Sequence, residues 1–485
     1  MSLMVHENCG VVGIYSLGGE NIVPYLIDCL RSLQHRGQES WGIAVPKKSP
    51  FKKTGLVSAS AYEFDKLITK FSSNIGIGHV RYSTFGSSSL ENAQPLKVKD
   101  LCIAHNGTIT NAEQLSTMVG GCTFTPQNMT DTLVAAQRLV SILKKKDDMK
   151  AAMAILKNEM VGSYCFTFLT DSNTIYAARD PKGFRPLVLG VHKDTNTYII
   201  ASESCALSTV GAILLRDIEP GELVRIDKNG LKSERFSEAV NHAHCAFEFT
   251  YFAHPSSIME GINIYLARKK IGEYLAHKFP ITEADVVIPV PDSSRPAALG
   301  YSLKLGLPFE EGLLKDRYSK KGSMRSFIEP LVKDRKEINQ NILPIREMIE
   351  NKHVIIVDDS IVRGTSSKAI IESVKQAGAR KISMVVTYPP ISYPCYAGID
   401  FPSQEELIAF QVARKEVDLD IIGNKVASLI GADEVCYNDN VNLAKGIGLE
   451  KSELCFSCST GDYTPLGIKP DFGSRYQIND RIFVD

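Results

Sequence analysis

A strand, an acidic pair and a hydroxyl-rich loop follow one another in the segment His353-Val354-Ile355-Ile356-Val357-Asp358-Asp359-Ser360-Ile361-Val362-Arg363-Gly364-Thr365-Ser366-Ser367. The uninterrupted apolar run before the acids is typical of a buried strand. After the loop, an apolar stripe at helical spacing (Ile370, Ile371, Val374 and Ala377) predicts a helix, and Lys381 to Val386 predicts the next strand. Strand, helix and strand in this order indicate a parallel sheet.

The loop of this unit has the composition of a phosphate site. Hydroxyl residues and Gly364 lie near a predicted helix N-terminus with Arg363 beside them, where backbone amides and the helix dipole favour an anion. Asp358 and Asp359 are hard oxygen ligands that can hold sugar hydroxyls and help anchor a hydrated divalent cation. A simple helix cap with a solvated acidic turn explains one acid and one hydroxyl, but not the whole segment. The Gly-x-x-x-x-Gly-Lys pattern of ATP-binding loops is missing.

This segment resembles the phosphoribosyl pyrophosphate (PRPP) signature of the type I phosphoribosyltransferases. The resemblance implies that Asp358 and Asp359 hold the ribose hydroxyls. The residues it assigns to the 5-phosphate are Arg363, Gly364, Thr365 and Ser366. It also implies one Mg²⁺ per subunit, contacted by Ser293, which follows the predicted strand Ala284 to Pro291, together with the two acids.

A basic stretch from Leu314 to Pro330 separates these two segments. One interpretation is a solvated linker. The family resemblance instead implies a lid that closes over pyrophosphate and excludes water, and its residues would include Lys315, Tyr318 and Arg325.

Length and composition limit the number of domains and the kinds of partner. Its 485 residues exceed one hydrophobic core, so two or three domains are expected, and the pattern changes near Phe247. Lys plus Arg and Asp plus Glu both number 55, so no global charge indicates a nucleic acid or membrane partner. Since no apolar run reaches about 18 residues and no secretory signal is present, a cytoplasmic protein is expected.

The first half carries an ordered series of polar motifs. They are Cys9-Gly10, the loop Gln34 to Ser40, Gly78 to Thr84, His105-Asn106-Gly107 and Thr130-Asp131-Thr132. Each has a structural explanation when taken alone: a buried thiol, a surface charge, a tight turn or a helix start. Cys9 has a further possibility, because removal of Met1 to Asn8 would give it a free α-amine that can take the proton of its own thiol.

The ordered set resembles the N-terminal-nucleophile glutamine amidotransferases from Cys9 to about Glu238. It implies a glutaminase in which Cys9 attacks the side-chain amide of glutamine. The Asn106 side chain and the Gly107 amide would stabilise the oxyanion. Arg81 would bind the α-carboxylate of glutamine and Asp131 its α-ammonium. Residues 1–8 would be a self-cleaved propeptide.

The chain has eleven cysteines. An odd count, in a protein expected in a reducing compartment, argues against a disulfide framework. On spacing alone, Cys455-Phe456-Ser457-Cys458 fits zinc, a redox pair or an iron–sulfur cluster. Ordinary buried thiols are predicted at Cys29, Cys102, Cys122, Cys165, Cys205 and Cys436.

Together the two halves resemble the glutamine PRPP amidotransferase family. This implies an amidophosphoribosyltransferase that passes ammonia from glutamine to PRPP, giving 5-phosphoribosylamine and pyrophosphate in the first committed step of purine synthesis. The cluster-containing branch of that family implies one 4Fe–4S cluster per subunit, and the ligands would be Cys245, Cys395, Cys455 and Cys458. Zinc is the main competing metal. The family also implies a tetramer and feedback inhibition by purine nucleotides.

The fold expected is an α+β N-terminal-nucleophile glutaminase domain, an αββα sandwich, followed by an α/β type I phosphoribosyltransferase domain. The expected boundaries are 1–8 for the propeptide, 9–238, 247–450, and 451–485 for a tail with cluster ligands. Two rival hypotheses are another glutamine amidotransferase with a different acceptor and an inactive sensor of PRPP or purines. The first hypothesis does not explain the segment 358–367. The second does not explain why all the predicted glutaminase residues are present.

Overall fold

The protein is described by a computed structural model. The described residues are 9–58, 60–82, 90–119, 130–238, 240–315, 342–399, 401, 403–413, 418–470 and 478–481. The predicted propeptide 1–8, the predicted lid residues Tyr318 and Arg325, and the thiol of Cys122 lie outside them.

The first half contains thirteen strands and six helices among the described residues. The strands are β1 (Gly10–Ser16), β2 (Ser40–Ala44), β3 (Phe51–Thr54), β4 (Ile75–Arg81), β5 (Leu96–Val98), β6 (Leu101–Ile109), β7 (Gly162–Thr170), β8 (Thr174–Arg179), β9 (Val188–His192), β10 (Thr197–Ala201), β11 (Ile213–Asp217), β12 (Glu222–Asp227) and β13 (Gly230–Arg235). The helices are α1 (Val23–Ser32), α2 (Ala61–Lys70), α3 (Ala112–Thr117), α4 (Asp131–Lys146), α5 (Met149–Glu159) and α6 (Ser204–Thr209).

These strands form two antiparallel sheets. One has the order β11-β9-β10-β1-β4-β2-β3 and the other β13-β12-β8-β7-β6-β5. The inner faces pack together through a shared apolar core, which includes Val11 and Ile77 from the first sheet and Ala104, Cys165 and Val224 from the second. Helices α1, α2 and α6 cover the outside of the first sheet, and α3 to α5 cover the second. The predicted sandwich of two sheets between helices is therefore observed.

The second half alternates strands and helices. Its first elements are β14 (His244–Cys245), a π-helical turn (Glu248–Phe252), β15 (Ile258–Met259), β16 (Ile262–Asn263), α7 (Ile264–Lys278), β17 (Val286–Pro289), α8 (Arg295–Leu305), β18 (Leu313–Lys315) and β19 (Ile342–Pro344). Next come α9 (Arg346–Ile349), β20 (His353–Asp358), α10 (Thr365–Gln376), β21 (Lys381–Val386), α11 (Ile408–Ala413), α12 (Leu419–Ile430), β22 (Glu434–Tyr437) and α13 (Asn440–Ile447). The chain then continues through β23 (Leu454–Cys455), α14 (Ser457–Thr460), β24 (Ile468–Pro470) and β25 (Ile478–Arg481), with single 3₁₀ turns at Gln404–Glu406, Lys451–Glu453 and Thr464–Leu466.

A four-stranded parallel sheet organises this half. Its order is β17-β20-β21-β22, and every neighbouring pair is parallel. One face packs against α10, α11 and α12, and the other against α7 and α8. Because both faces are covered, the strands are mostly apolar, as the sequence of β20 predicts. The carboxyl ends of β17 and β20 lie side by side, which is where parallel sheets bind ligands.

The two halves meet at a junction that contains the short strands β14 and β23. β14 pairs in parallel with β23, so that His244 lies opposite Leu454 and Cys245 opposite Cys455. An apolar cluster that includes Phe247, Tyr388 and Phe401 packs beside this short sheet. The junction is therefore a packed core and not a flexible linker.

Candidate functional site

Cys9 lies immediately before β1, a central strand of the first sheet. Its side chain is buried, and its Sγ lies 3.7 Å from the carbonyl oxygen of Tyr82. The carbonyl oxygen of Cys9 accepts a hydrogen bond from Arg36 Nε at 3.1 Å. Because β1 pairs with β4, the segment Arg81-Tyr82 at the end of β4 is placed beside Cys9. Arg81 is buried, so it is not the surface charge that the structural alternative described.

Asn106 and Gly107 lie in β6, on the facing sheet. The Asn106 side chain is 1% exposed, and its Nδ2 has no hydrogen-bond partner among the described residues. A buried amide without a partner costs free energy, so this N–H group is a candidate donor to a ligand. Gly107 has a φ of +142°, and a Cβ there would lie 2.2 Å from the Ser163 carbonyl oxygen, so only glycine fits.

Asp131 is the first residue of α4, as the structural alternative predicted. Its Oδ2 accepts from the Ile109 amide at 2.9 Å, and its Oδ1 accepts from the Thr132 amide at 2.7 Å. Oδ1 also accepts from Thr132 Oγ1 at 3.3 Å. Each carboxylate oxygen has two lone pairs, so Oδ2 keeps acceptor capacity for an ammonium. The carboxylate is thus fixed between the end of β6 and the start of α4.

Two buried histidines that the sequence did not single out support this region. His79 Nε2 lies 3.0 Å from the carbonyl oxygen of His105, and His105 Nδ1 lies 3.0 Å from Thr132 Oγ1. Burial lowers the pKa of His79 to about 3, which keeps it neutral. Both histidines lie in the motifs that contain Arg81 and Asn106, but the spacing did not show that the His79 ring would reach β6 or that the His105 ring would reach α4.

The buried Asn106 amide gives a direct prediction. Asn106→Ala is expected to lower the turnover of glutamine roughly 100- to 1,000-fold, the cost of removing one oxyanion donor. Turnover with ammonia in place of glutamine is expected to stay within about twofold, because the predicted PRPP site at Asp358 and Asp359 is untouched. Steady-state rates with each nitrogen donor measure both numbers. Equal losses with the two donors would argue against an oxyanion role.

The second candidate site lies at the carboxyl ends of β17 and β20. Asp359 accepts hydrogen bonds from Ser293 Oγ at 2.6 Å and from Ser360 Oγ at 2.8 Å. Asp358 accepts from the backbone amide of Asp359 at 2.9 Å and from Ser294 Oγ at 3.5 Å. The structure therefore brings Ser293 and both acids together, as the sequence predicted. Burial, followed by the charge of Asp359, raises the pKa of Asp358 well above its usual range.

The loop after the acids ends at Gly364, which caps α10. Its φ is +76°, and a Cβ there would lie 2.4 Å from Ile408 Cδ1, so the turn requires glycine. Thr365 and Ser366 follow in the first turn of the helix, whose amides have no intrahelical acceptors. Arg363 Nε donates to Glu406 at 2.8 Å. Lys315 ends β18, and its ammonium lies 4.0 Å from the Asp292 carboxylate.

The four predicted cluster cysteines come together at the junction. Cys245 and Cys455 are register partners, and burial raises the pKa of Cys245 to about 12, with Cys455 and Cys395 among the smaller causes. Burial also raises the pKa of Cys458 well above its usual range, and the same three thiols contribute. The Cys395 Sγ accepts backbone N–H bonds from Ala397 at 3.3 Å and Ile399 at 3.4 Å.

No three His, Cys, Asp or Glu side chains in the described ranges are arranged to hold a single metal ion. The other predicted thiols are buried in the structure: Cys29, Cys102, Cys165, Cys205 and Cys436. Over the same part of the chain, no helix is both long and apolar enough to cross a bilayer.

The Cys458 thiol is also linked to the acidic pair through Tyr388. The Tyr388 hydroxyl lies 3.3 Å from Cys458 Sγ, and its backbone amide donates to the Asp359 carbonyl oxygen at 2.9 Å. Tyr388 is fully buried, with the Phe247 ring packed edge-on 4.9 Å away. Tyr388 therefore contacts Cys458 through its side chain and the acidic pair through its backbone.

Family models match both halves of the chain. A model described as a glutamine amidotransferase domain matches residues 79–209, and one described as a phosphoribosyl transferase domain matches residues 263–398. They agree with the order of the two folds. The finer boundaries 9–238, 247–450 and 451–485 stay predictions.

Relatives of similar length match almost the whole chain. The amidophosphoribosyltransferase of Bacillus subtilis (strain 168) is 38% identical over 474 residues, which cover 95% of this chain and 94% of that protein. That of Methanocaldococcus jannaschii is 38% identical over 481 residues, covering 94% and 97%. A solved structure of the glutamine PRPP amidotransferase from B. subtilis, complexed with ADP and GMP, superposes with a TM-score of 0.79 at 37% identity, covering 94% of this chain and 97% of that one.

Proposed function

This chain belongs to the amidophosphoribosyltransferase family, and from that premise we propose how its own residues divide the reaction. The activity is the glutamine-dependent synthesis of 5-phosphoribosylamine from PRPP, the first step of purine biosynthesis. The first half would release ammonia from glutamine, and the second half would place that ammonia on C1 of PRPP and release pyrophosphate.

Cys9 is the nucleophile of the glutaminase in this proposal. Its thiol attacks the side-chain amide carbon of glutamine, and its own α-amine takes the thiol proton. That amine exists only once residues 1–8 have been removed, so we propose that they form a propeptide. Arg81 would bind the α-carboxylate of glutamine in a bidentate manner, and Asp131 the α-ammonium.

The observation that carries the glutaminase proposal is the unpartnered Asn106 amide. It is buried next to Gly107, whose backbone requires glycine. A tetrahedral oxyanion formed by attack of Cys9 would accept from the Asn106 side chain and the Gly107 N–H. Such donors accelerate a reaction because they stabilise the negative charge that develops on the oxygen more than they stabilise the ground-state amide.

The second half binds PRPP through the carboxyl end of its sheet. Asp358 and Asp359 would hold the ribose hydroxyls, and the turn Arg363 to Ser366 would hold the 5-phosphate at the start of α10. Ser293 and the two acids form a hard oxygen set that suits Mg²⁺. When bound, the ion would neutralise charge on the departing pyrophosphate. Lys315, Tyr318 and Arg325 are proposed to close over that group.

We propose that the four thiols of the junction hold a 4Fe–4S cluster. Cys245, Cys455 and Cys458 are buried and Cys395 is half-buried, and the neighbouring thiols contribute to the raised pKa of Cys245 and of Cys458. Backbone amides donate to Cys395, as hydrogen bonds to cluster sulfurs do. We assign Cys245, Cys395, Cys455 and Cys458 as its ligands. Since they come from the junction, the second half and the tail, the cluster would tie these segments together.

Cluster content has a direct test. Protein purified without oxygen is expected to show a broad absorption near about 400 nm, with about four irons per chain. Cys458→Ser is expected to remove that absorption and lower the Tm, while Cys436→Ser, at a thiol outside the junction, keeps the absorption. A colourless protein with stoichiometric zinc would contradict the assignment.

Regulation by purine nucleotides is a further part of the proposal. The similar B. subtilis enzyme was solved with ADP and GMP bound. We propose that nucleotides of this class inhibit the present enzyme, and that it works in the cytoplasm as a tetramer. Neither nucleic acid nor membrane is expected as a partner.

Supplying the purified chain with PRPP, Mg²⁺ and either glutamine or ammonia tests the function as a whole. We expect phosphoribosylamine and pyrophosphate with both nitrogen donors, and glutamate with the first. Glutaminase activity with another acceptor would favour a different amidotransferase. PRPP binding without turnover from either donor would favour a sensor.

A further inference from the structure

Four charged side chains are buried together where the two halves of the chain meet. They are Arg36, Arg185, Glu203 and Glu248, and none is more than 2% exposed. Arg36 Nη1 donates to Glu203 at 2.5 Å and to Glu248 at 3.0 Å, and its Nη2 donates to Glu248 at 2.5 Å. Arg185 Nη1 also donates to Glu248, at 3.0 Å. We refer to these residues as the four-charge group.

The group is electrically balanced and remains ionised. Burial alone would lower the pKa of Arg36, but Glu248 and Glu203 outweigh it and raise that pKa. Burial alone would raise the pKa of Glu248, but Arg36 and Arg185 outweigh it and lower that pKa. Buried ion pairs contribute little net stability compared with apolar packing. A role in fixing the position of the neighbouring backbone is therefore a better hypothesis for this group than a role in stability.

One end of the group touches the backbone of the nucleophile. Arg36 uses its two terminal nitrogens on the glutamates, and its remaining Nε donates to the Cys9 carbonyl oxygen at 3.1 Å. A guanidinium held at both ends has one orientation. The position of the Cys9 carbonyl is thereby tied to the position of Glu248.

The other end touches the loop of Cys395. Arg185 Nε and Nη2 donate to the Ala397 carbonyl oxygen at 3.0 Å and 2.7 Å. The amide of the same residue donates to Cys395 Sγ at 3.3 Å. Three side chains therefore join the backbone of Cys9 to the backbone next to Cys395, across the boundary between the halves.

We propose that Arg36 is a positioning residue for Cys9, and that Glu248 sets its orientation from the second half of the chain. Movement of the junction and of the Cys395 loop then changes the alignment of the nucleophile without any change in glutamine binding. This inference rests on the proposed role of Cys9 as the nucleophile, and it does not require the cluster.

The chain offers a matched control for breaking such an ion pair. Buried Arg179 and half-buried Glu260 form a second ion pair at 2.5 Å. The other partners of Arg179 are the carbonyl oxygens of Arg185, Gly183 and Ile218, and none of its described hydrogen bonds reaches Cys9. Glu260→Gln therefore removes a comparable ion pair without touching the nucleophile.

The test compares Glu248→Gln with Glu260→Gln in the full chain. The readouts are kcat and KM for glutamine, ammonia-dependent turnover, and the rate at which 6-diazo-5-oxo-L-norleucine modifies Cys9. For Glu248→Gln we expect kcat with glutamine and the modification rate to fall at least about 10-fold, because a 1 Å misplacement costs roughly 100-fold. KM for glutamine and ammonia-dependent turnover are expected to change less than about twofold. Glu260→Gln is expected to leave all four values near those of the parent.

Three results would overturn the proposal. They are an unchanged modification rate in Glu248→Gln, a loss shared equally with ammonia, and the same loss in Glu260→Gln. If Glu248→Gln does not fold, Arg36→Lys decides the question, since it keeps a cation between the glutamates but loses the Nε donor to Cys9. Full glutamine turnover in that variant contradicts the proposal. A parent without any glutaminase activity would instead contradict the proposed function.

Discussion

Cys9→Ala is expected to abolish phosphoribosylamine synthesis from glutamine and to leave synthesis from ammonia within about twofold. The reason is chemical, since alanine offers no nucleophile. Another thiol, that of Cys165, lies opposite Asn106 on β7, but it donates to the carbonyl oxygens of Arg185 and Pro186, and burial raises its pKa, so it is not expected to replace Cys9. Removal of a nucleophile that acts with its base typically costs on the order of 10⁶ in turnover. The measurement is the steady-state rate with each nitrogen donor at saturating PRPP.

The control for this variant is Cys29→Ala. Cys29 is a fully buried thiol in the same half, and its Sγ donates to the Ala206 carbonyl oxygen at 3.4 Å. Its loss should cost some stability and leave both activities in place. Both variants are best made in a chain that starts at residue 9, so that propeptide removal does not limit the comparison. Glutamine-dependent turnover by Cys9→Ala above about one-thousandth of the parent rate would show that another group is the nucleophile.

The sequence predicted best where one element carried both a periodicity and a chemical motif. The strand predicted from Lys381 to Val386 is observed with the same bounds. The strand of the acidic pair ends at Asp358, and the helix after it begins at Thr365. An uninterrupted apolar run, a glycine that needs a positive φ and a hydroxyl-rich first turn all indicate the same structure here. Agreement of this kind between local signals is what makes a prediction reliable.

The sequence could not predict contacts between distant parts of the chain. Glu203 and Glu248 lie 167 and 212 residues from Arg36, and no local pattern marks them as its partners. Arg36 was present in a quoted motif, yet its role depends entirely on those two acids. The position of Asp131 at the start of α4 illustrates a second limit. A residue that starts a helix can also face a substrate, and the sequence offered these as alternatives when the geometry allows both.

Asp358→Asn is expected to remove synthesis of phosphoribosylamine from ammonia as well as from glutamine. A hydrogen bond to a charged group contributes about 1.5–3 kcal/mol, which corresponds to roughly 10- to 100-fold in PRPP affinity for each ribose hydroxyl lost. Binding of PRPP, measured by calorimetry, is expected to weaken by that factor. The matched control is Asp285→Asn at the opposite end of the same strands, where the carboxylate accepts from the His353 amide at 2.7 Å. It should bind PRPP like the parent.

The same variant is expected to be more stable than the parent when PRPP and Mg²⁺ are absent. Burial and Asp359 raise the pKa of Asp358 well above its usual range, so the folded state holds this proton more tightly than the unfolded state. Below about pH 4, the ordinary pKa of aspartate, both states are protonated and the group costs nothing. As the pH rises towards and through the raised pKa of the folded state, ionisation of Asp358 favours the unfolded state. The free energy of unfolding therefore falls from its value at low pH. Asparagine removes this penalty, so the Tm difference between variant and parent, measured with EDTA, should grow from pH 4 to pH 8. A difference that is constant with pH would mean that Asp358 does not carry the penalty, whereas growth together with lost PRPP binding would show a binding group maintained at the expense of stability.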